Sequence, residues 1–412
     1  MDTEVKAPLA RGWLESVGQP HGSGAVPIIV RGDGQVRTVW LAAECAQQLP
    51  PLQSVIVITE CHADNTPDAP ATMLEVIHAA RPIVPVGESA DDWILKRRHL
   101  EIRSPLLRAT AQFRHLIQKY AREHLESLGC INVHTPILVE ATCVCSGDVF
   151  SFPYYGRRIA TLIQSPWMYV DVMTSGVERA YALNPSFRRE RAATNIHLVE
   201  IWQLQVDMAW MTNDEIIDVE EGLVRALAYK FQERHSALYE QAGLDWAHLS
   251  ALRKSFARIT YDESLDILKR NAISLEYGSD YSQAHSDVLS AQFDRPYFIT
   301  HFPKKLKNFW FPACKDQPGL TPSNDLFAHT GHGELIGGGE RVTDSEELER
   351  NLAYYKHDLD EFEWFVETRR HGCVPHAGFS VGFDRLTAFL MGVRDIRQAT
   401  LFPRVPMGTL VP

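Results

Sequence analysis

The periodicity of the apolar residues changes once along this chain, and that change constrains the fold more than any other feature of the sequence. From Gly12 to about Val86 the apolar residues come in short runs broken by turn signals. Val26 to Val30 precedes Arg31-Gly-Asp-Gly34, Val36 to Leu41 follows it, and Ser54 to Thr59 and Met73 to His78 complete the set. Such closely spaced strands predict a small closed barrel of about five strands. Pro82 to Asp92, with two prolines, one glycine and three acids, reads as a linker. Beyond it, Leu106, Leu107, Phe113, Leu116, Ile117, Tyr120, Leu125 and Leu128 keep a helical period from Pro105 to Gly129, with the proline suited to the first turn and the glycine to the end.

Further along, strands are predicted at Val133 to Val139, Ile159 to Ile163, Arg179 to Ala182 and Leu198 to Trp210, with a helical run from Trp167 to Gly176 between them. Asn213 is positioned to cap a helix from Asp214 to Gly243, and a last helix runs from Asp384 to Met391. Helices beside a mostly antiparallel sheet make the fold class α+β.

Composition excludes several kinds of protein. A 412-residue chain that is 45% apolar and 23% charged is not disordered. No stretch approaches the roughly 18 consecutive apolar residues of a membrane span, and Met1 to Ala10 lacks the pattern of a signal peptide, so a cytoplasmic protein is expected. Seven scattered cysteines fit a reducing compartment. A net charge of −11 argues against a nonspecific polyanion binder and leaves a local basic site open.

Four segments carry chemistry. Phe187-Arg-Arg-Glu190 and, after six residues, His197-Leu-Val-Glu200 sit on two apparent strands that place Arg188, Glu190 and His197 along one edge, suited to a triphosphate and the amine of a base; a solvated hairpin would look similar. Gly378-Phe-Ser-Val-Gly382-Phe-Asp384-Arg385-Leu386 runs from a glycine-interrupted strand into a helix, where Arg385 can hold a terminal phosphate. In Gly331-His-Gly333-Glu334-Leu-Ile-Gly337-Gly-Gly339-Glu340-Arg341, Glu334 is a candidate magnesium ligand. Gly129 to Leu138, containing Thr135-Pro136, shows no chemistry of its own. Cys143 and Cys145, without a second pair, are a poor zinc signature.

In this order the segments resemble the class II aminoacyl-tRNA synthetases, within them the aspartyl and asparaginyl group. Thr135-Pro136 is similar to the first class motif, Phe187 to Glu200 to the second, and Gly378 to Arg404 to the third. Ile299-Thr-His-Phe-Pro303 and Lys307-Asn-Phe309 are similar to asparaginyl enzymes, and Arg97 to Pro105 to the segment leading into their catalytic domain. The resemblance implies an OB-like, degenerate anticodon-binding barrel over 1–88, a linker and lead-in over 89–104, and a class II catalytic domain over 105–412. It also implies ATP-dependent formation of an acyl adenylate with loss of pyrophosphate, a homodimer, and ATP and Mg²⁺ as cofactors. By position Arg188 would meet the α-phosphate, Glu190 the adenine side, His197 and Arg385 the outer phosphates, and Glu334 the Mg²⁺. Arg188 and Arg385 are the catalytic candidates. Ile196 stands where the family has arginine, and Asp325 precedes Glu334 by a longer loop than usual.

The acid-binding residues depart further. Ser165, Trp167, Val170, Gln205, Arg341 and Val144 fall at substrate-binding positions. Trp167 replaces a glutamine, Val170 the lysine of aspartyl enzymes, Val144 a glutamate facing the substrate ammonium and Gln205 an acid, whereas Arg341 keeps the arginine for the distal carbonyl or carboxylate. An ammonium without an anion in a desolvated pocket is costly. Residues 1–87 carry five basic against nine acidic side chains, two tryptophans and no phenylalanine or tyrosine, which argues against tRNA binding. The reading that follows is an adenylate-forming ligase passing a small carboxylic or amino acid to a non-tRNA acceptor such as ammonia or an amine. The alternatives are a divergent asparaginyl-tRNA synthetase and a catalytically silent regulator that binds ATP or RNA.

Overall fold

The structure is a computed structural model. It describes residues 8–59, 64–81, 95–140, 149–156, 158–189, 194–406, 408 and 410, within two compact units, Met1–Ala90 and Asp91–Pro412. In the first unit β1 (Ala10–Val17), β2 (Val26–Gly32), β3 (Gln35–Leu41), β4 (Val55–Thr59) and β5 (Met73–His78) form an antiparallel sheet in the order β3-β2-β1-β4-β5. Alternation along the strands buries Leu14, Ile28, Val30, Leu41, Ile56 and Ile58 together. The sheet closes where Ala71 meets β3: Ala71 N donates to Trp40 O at 2.8 Å and Ala42 N to Ala71 O at 2.9 Å, making a small OB-like barrel. Gly12 has φ +143°, and a Cβ there would lie 2.0 Å from Arg31 O, so β1 and β2 approach this closely only with glycine.

The second unit is built on an eight-stranded sheet in the order β12-β13-β14-β15-β16-β11-β10-β6. Its strands are β6 (Ile131–Asn132), β10 (Arg179–Phe187), β11 (Glu200–Ala209), β12 (Ala257–Thr260), β13 (Tyr297–Thr300), β14 (Ser323–Phe327), β15 (Glu334–Glu340) and β16 (His376–Gly382). The pairs from β13 to β10 are antiparallel, and only the two edge pairs are parallel. A second, three-stranded sheet has the order β7-β9-β8, from β7 (Leu138–Val139), β8 (Ser151–Tyr154) and β9 (Arg158–Leu162). The architecture is α+β. Helices Pro105–Ser127, Asn213–Arg234 and Phe383–Met391 bring Phe113, Ile117, Leu223, Phe231 and Phe389 into one core with Leu326, Ile336 and Phe379 of the sheet. The other face of the sheet is thereby left for a site. No helix among the described residues is long and apolar enough to cross a membrane.

Two elements differ from the sequence expectation. The strand predicted over Val133 to Val139 is interrupted: only Ile131–Asn132 and Leu138–Val139 pair. Pro136 lies between them and has no N–H for a ladder. The helix predicted over Asp214 to Gly243 breaks at His235, and its cap is Thr212 rather than Asn213. Thr212 and Glu215 satisfy each other's backbone N–H groups reciprocally, which a cap one residue later would forgo. Asn213 instead accepts from Asn324 Nδ2 at 3.1 Å.

The lead-in segment is tied to the chain's far end by one side chain. Arg98 is buried, and its guanidinium donates to the carbonyls of Leu401 at 2.9 Å, Thr400 at 2.7 Å and Arg397. Burial lowers it to about 10, which still leaves it charged at neutral pH.

Candidate functional site

One row of paired residues crosses the middle of the sheet: Asp325 on β14, Gly337 on β15, Ser380 on β16, Gln205 on β11 and Ala182 on β10. The next row on the same face holds Ser323, Gly339, Gly378, Asp207 and Ala180. Directly opposed residues share a face, so a few polar side chains stand together among glycines and alanines. The missing side-chain volume is a cavity of about 740 Å³, within the range of ligand pockets.

Ser165, Trp167, Arg188, His197, Gln205, Glu334, Arg341 and Arg385 all line this cavity, although 220 positions separate the first from the last. Glu190 and Val144 lie outside the described residues, as do Cys143 and Cys145. Val170 does not line the cavity. It is fully buried with Ala180 and Ala182, because helix Trp167–Val177 turns Trp167 toward the cavity and Val170 toward the sheet. Val170 therefore packs beneath the cavity wall rather than facing the cavity itself.

Arg188 follows the last residue of β10, held by its own N–H to Val199 O at 2.9 Å, and its Nε is buried without a hydrogen-bond partner among the described residues. Val199 N in turn donates to Arg404 O at 2.8 Å, which lays the third sequence motif alongside the second. Arg385 starts the helix after β16 and donates Nη1 to Glu334 O at 2.5 Å. His197 Nδ1 lies 2.6 Å from Thr194 Oγ1. A preceding residue, Asp384, pins the same helix: it accepts from Arg114 Nη1 at 2.5 Å and from Trp202 N at 2.8 Å.

The wall opposite holds an anion that the sequence reading missed. Asp207, two residues from Gln205 and so on the same face of β11, is fully buried and accepts from Arg341 Nε at 2.9 Å and from Gln205 Nε2 at 2.6 Å. With its amide nitrogen committed to Asp207, Gln205 presents Oε1 unpaired among the described residues, as are the buried Gln203 Oε1, Ser380 Oγ and Trp167 Nε1. All four side chains line the cavity. Gly378 makes room for this arrangement, since a Cβ there would lie 2.0 Å from Asp207 Oδ1. Trp167 packs 4.3 Å from Trp310 between ring centroids, with the Arg341 guanidinium 5.8 Å from its own.

Two carboxylates meet over Gly337. A Cβ there would stand 3.0 Å from Glu334 Oε1 and 3.1 Å from Asp325 Oδ1, so the glycine keeps a cradle open between them. Glu334 reaches this face through a β-bulge: Leu326 pairs with Ile336, but Phe327 pairs with Glu334, and the skipped residue reverses the alternation. Burial, reinforced by Glu334, raises the Asp325 carboxyl above its ordinary range, while Lys307, with Nζ 2.7 Å from both oxygens, opposes the shift and holds it as a carboxylate. Among the described residues no group of three or more histidine, cysteine or acidic side chains is placed to hold a metal. Two carboxylates alone suit a Mg²⁺ that takes its remaining ligands from phosphate and water.

Behind Trp167, Asp171 lies one helical turn along and is buried with Arg369 and His376. Arg369 Nη2 approaches Asp171 Oδ1 at 2.8 Å, and His376 Nε2 approaches Oδ2 at 2.9 Å. His376 Nδ1 faces Val374 O at 2.8 Å, so both ring nitrogens meet acceptors and the ring is an imidazolium. Nothing in the spacing of these three residues signals the cluster, because they come from separate elements.

A nucleotide-sized cavity on an antiparallel sheet, reached by three separated basic motifs, defines the class II synthetase architecture. The sequence model of the family described as tRNA synthetases class II (D, K and N) matches residues 90–406, and the chain belongs to that family. It is accordingly an adenylate-forming ligase of a family that works on ATP. Within the family it is similar to asparagine–tRNA ligases: that of Pelotomaculum thermopropionicum is 31% identical over 411 residues, covering 96% of this chain and 95% of the relative. That of Pyrococcus abyssi is 35% identical over 370 residues, covering 88% and 85%. Asparaginyl-tRNA synthetase from Pyrococcus horikoshii, solved with asparaginyl-adenylate, superposes with a TM-score of 0.89 at 30% identity, covering 97% of this chain and 95% of that one.

These relatives overturn two expectations from the sequence, the non-tRNA acceptor and the argument against tRNA binding. The first treated Gln205 as a lost anion, whereas Asp207 supplies one directly behind it. The second rested on the acidic balance of residues 1–87 and on their having two tryptophans but no phenylalanine or tyrosine, although histidine and arginine planes also stack on bases. In the barrel the Arg31 guanidinium lies 4.4 Å from the Trp13 ring centroid, and His21 lies 5.9 Å from that of Trp40. The silent-regulator alternative falls with the enzyme family.

Proposed function

We propose that this protein activates L-asparagine with ATP and transfers it to tRNA. The observation that carries this reading is the identity of 30–35% to asparagine–tRNA ligases over most of both chains. The cavity supports it chemically. The asparagine carboxylate attacks the α-phosphorus, the carboxylate–phosphorus bond forms, and the bond to the leaving pyrophosphate breaks with its electron pair. A tRNA hydroxyl then attacks the activated carbonyl, and AMP leaves. Arg188 would face the α-phosphate and His197 and Arg385 the outer phosphates, so charge develops against donors already in place. Glu190 would meet the adenine side. Mg²⁺, held by Glu334 and Asp325, would add positive charge to the phosphates when bound.

Arg341, fixed by Asp207, would donate to the asparagine side-chain carbonyl, with Trp167 packed beside it. The unpaired oxygens of Gln203, Gln205 and Ser380 would accept from the substrate's N–H groups, with Asp207 supplying the field of an anion behind them. Ser165 completes this wall. Residues 1–88 would serve as the tRNA-reading barrel, and residues 105–412 as the catalytic domain, joined by 89–104. The test is asparagine-dependent ATP–pyrophosphate exchange followed by aminoacylation of total tRNA. Exchange supported by aspartate but not asparagine, or exchange without any charged tRNA, would refute the proposal.

A homodimer belongs to the same reading. Ile131, Leu138, Phe152 and Ile159 on β6 to β9 expose apolar side chains, of which Ile159 is 59% exposed, beside the motif around Pro136. Two-fold pairing would cover such a surface. Light scattering at micromolar concentration should give twice the 46.6 kDa chain mass, and a single-chain mass would count against it.

A further inference from the structure

Asp325 already has a cation beside it. Lys307 Nζ lies 2.7 Å from each of its carboxylate oxygens, and both side chains are only 12% exposed. The ammonium also sits 3.8 Å from the ring centroid of Phe302. It is delivered there by a turn in which the other lysines are committed elsewhere. Lys304 Nζ donates to Asn351 Oδ1 at 2.6 Å, and Lys305 lies against Gly278, where a Cβ would meet its Cε at 1.7 Å. Of this lysine group only Lys307 lines the cavity, on the side where Asp325 and Glu334 converge over Gly337.

We propose that Lys307 is a resident counter-cation: it occupies Asp325 while the cavity holds no nucleotide, keeps a divalent ion off the Asp325–Glu334 pair, and releases Asp325 when the nucleotide phosphates arrive with their metal. The proposal rests on the reading of Asp325 and Glu334 as the metal ligands. The physics is a competition. A divalent ion entering between the two carboxylates of the free protein must displace a charge-assisted pair and then lie close to the largely buried ammonium it displaced. Nucleotide phosphates change the balance, because they attract the metal and give the ammonium a second partner. Metal and nucleotide therefore bind cooperatively, and by linkage each tightens the other by the same factor.

Mn²⁺ titration of the full-length protein without nucleotide, followed by electron paramagnetic resonance of the unbound ion, tests this without any catalytic readout. Lys307→Met removes the charge and keeps most of the length. It should bind Mn²⁺ roughly tenfold or more tighter than the unmodified protein, the scale of one lost charge-assisted competitor. Lys307→Arg should bind it as weakly as the unmodified protein. Adding a nonhydrolysable ATP analogue should tighten Mn²⁺ binding strongly in the unmodified protein and much less in Lys307→Met. If Lys307→Met loses its far-ultraviolet circular dichroism, Lys307→Gln carries the same comparison. Equal Mn²⁺ affinities for the charged and uncharged variants would overturn the proposal and leave Lys307 an ordinary phosphate contact. Asparagine-dependent exchange is scored separately, so failure of the substrate assignment would leave the Mn²⁺ result standing, and the reverse.

Discussion

Replacing Arg188 or Arg385 by alanine is expected to slow asparagine-dependent ATP–pyrophosphate exchange by about 10²-fold or more, chiefly in kcat. Little acid–base chemistry is needed for adenylate formation, so positioned positive charge carries most of the rate acceleration. Arg188 Nε is buried at the cavity wall with no partner among the described residues, a donor whose desolvation is uncompensated until a ligand arrives. Arg385 is tied through Nη1 to the backbone of Glu334, so its loss would also loosen the residue assigned to the metal. An unchanged kcat with only a raised KM for ATP in both variants would show that these arginines bind ground state and transition state alike, and that the phosphate site has been misassigned.

The second large effect is on stability. Asp171→Ala should destabilise the protein by about 3–5 kcal/mol, because it leaves Arg369 and His376 buried without their anion. For a domain of this size that corresponds to a fall in Tm on the order of 10 °C. Burial works against charge at both groups, but Arg369 and His376 outweigh it and hold the Asp171 carboxyl at about 2, while Asp171 outweighs it and raises His376 to about 10. His376 therefore contributes fully below its ordinary value of 6.5, and that contribution is lost as pH rises toward about 10. Asp171 contributes above its ordinary 3.8, and that is lost as pH falls toward about 2. The cluster is at full strength between these ordinary values. Tm measured from pH 5 to 10 should fall with rising pH in the unmodified protein and be flatter over the alkaline arm in Asp171→Ala. Parallel curves for the two proteins would mean that the imidazolium contributes nothing to folding.

Much of the fold is visible in local pattern. The alternation of Val26 to Val30 and of Val36 to Leu41 reads as strands, and the period from Leu106 to Leu128 as a helix, because each rests on which face of one element is buried. Where local signals compete, a tertiary or reciprocal contact decides between them. Thr212 and Asn213 are both good caps, and the reciprocal bond with Glu215 selects the former. The break at His235 has no proline or glycine to announce it.

Within the site, the residue types of the basic motifs determine a triphosphate-directed chemistry, since arginine and carboxylate at glycine-rich turns have few other uses together. Their order along the chain carries the family. The sequence by itself determined these things about the protein: its two kinds of unit, its class and the basic residues that line its cavity. Tertiary structure alone decided the rest. Strand register set Asp207 behind Gln205 and turned an apparent loss of charge into a buried network with Arg341. A bulge at β15 returned Glu334 to the face of Asp325, helix phase removed Val170 from the cavity, and Lys307 met Asp325 from a separate loop. The physical reason is common to all four. Side-chain direction follows from register, bulges and helix phase, and these are fixed by pairing between segments far apart in the chain, while residue identity and local periodicity are properties of each segment alone.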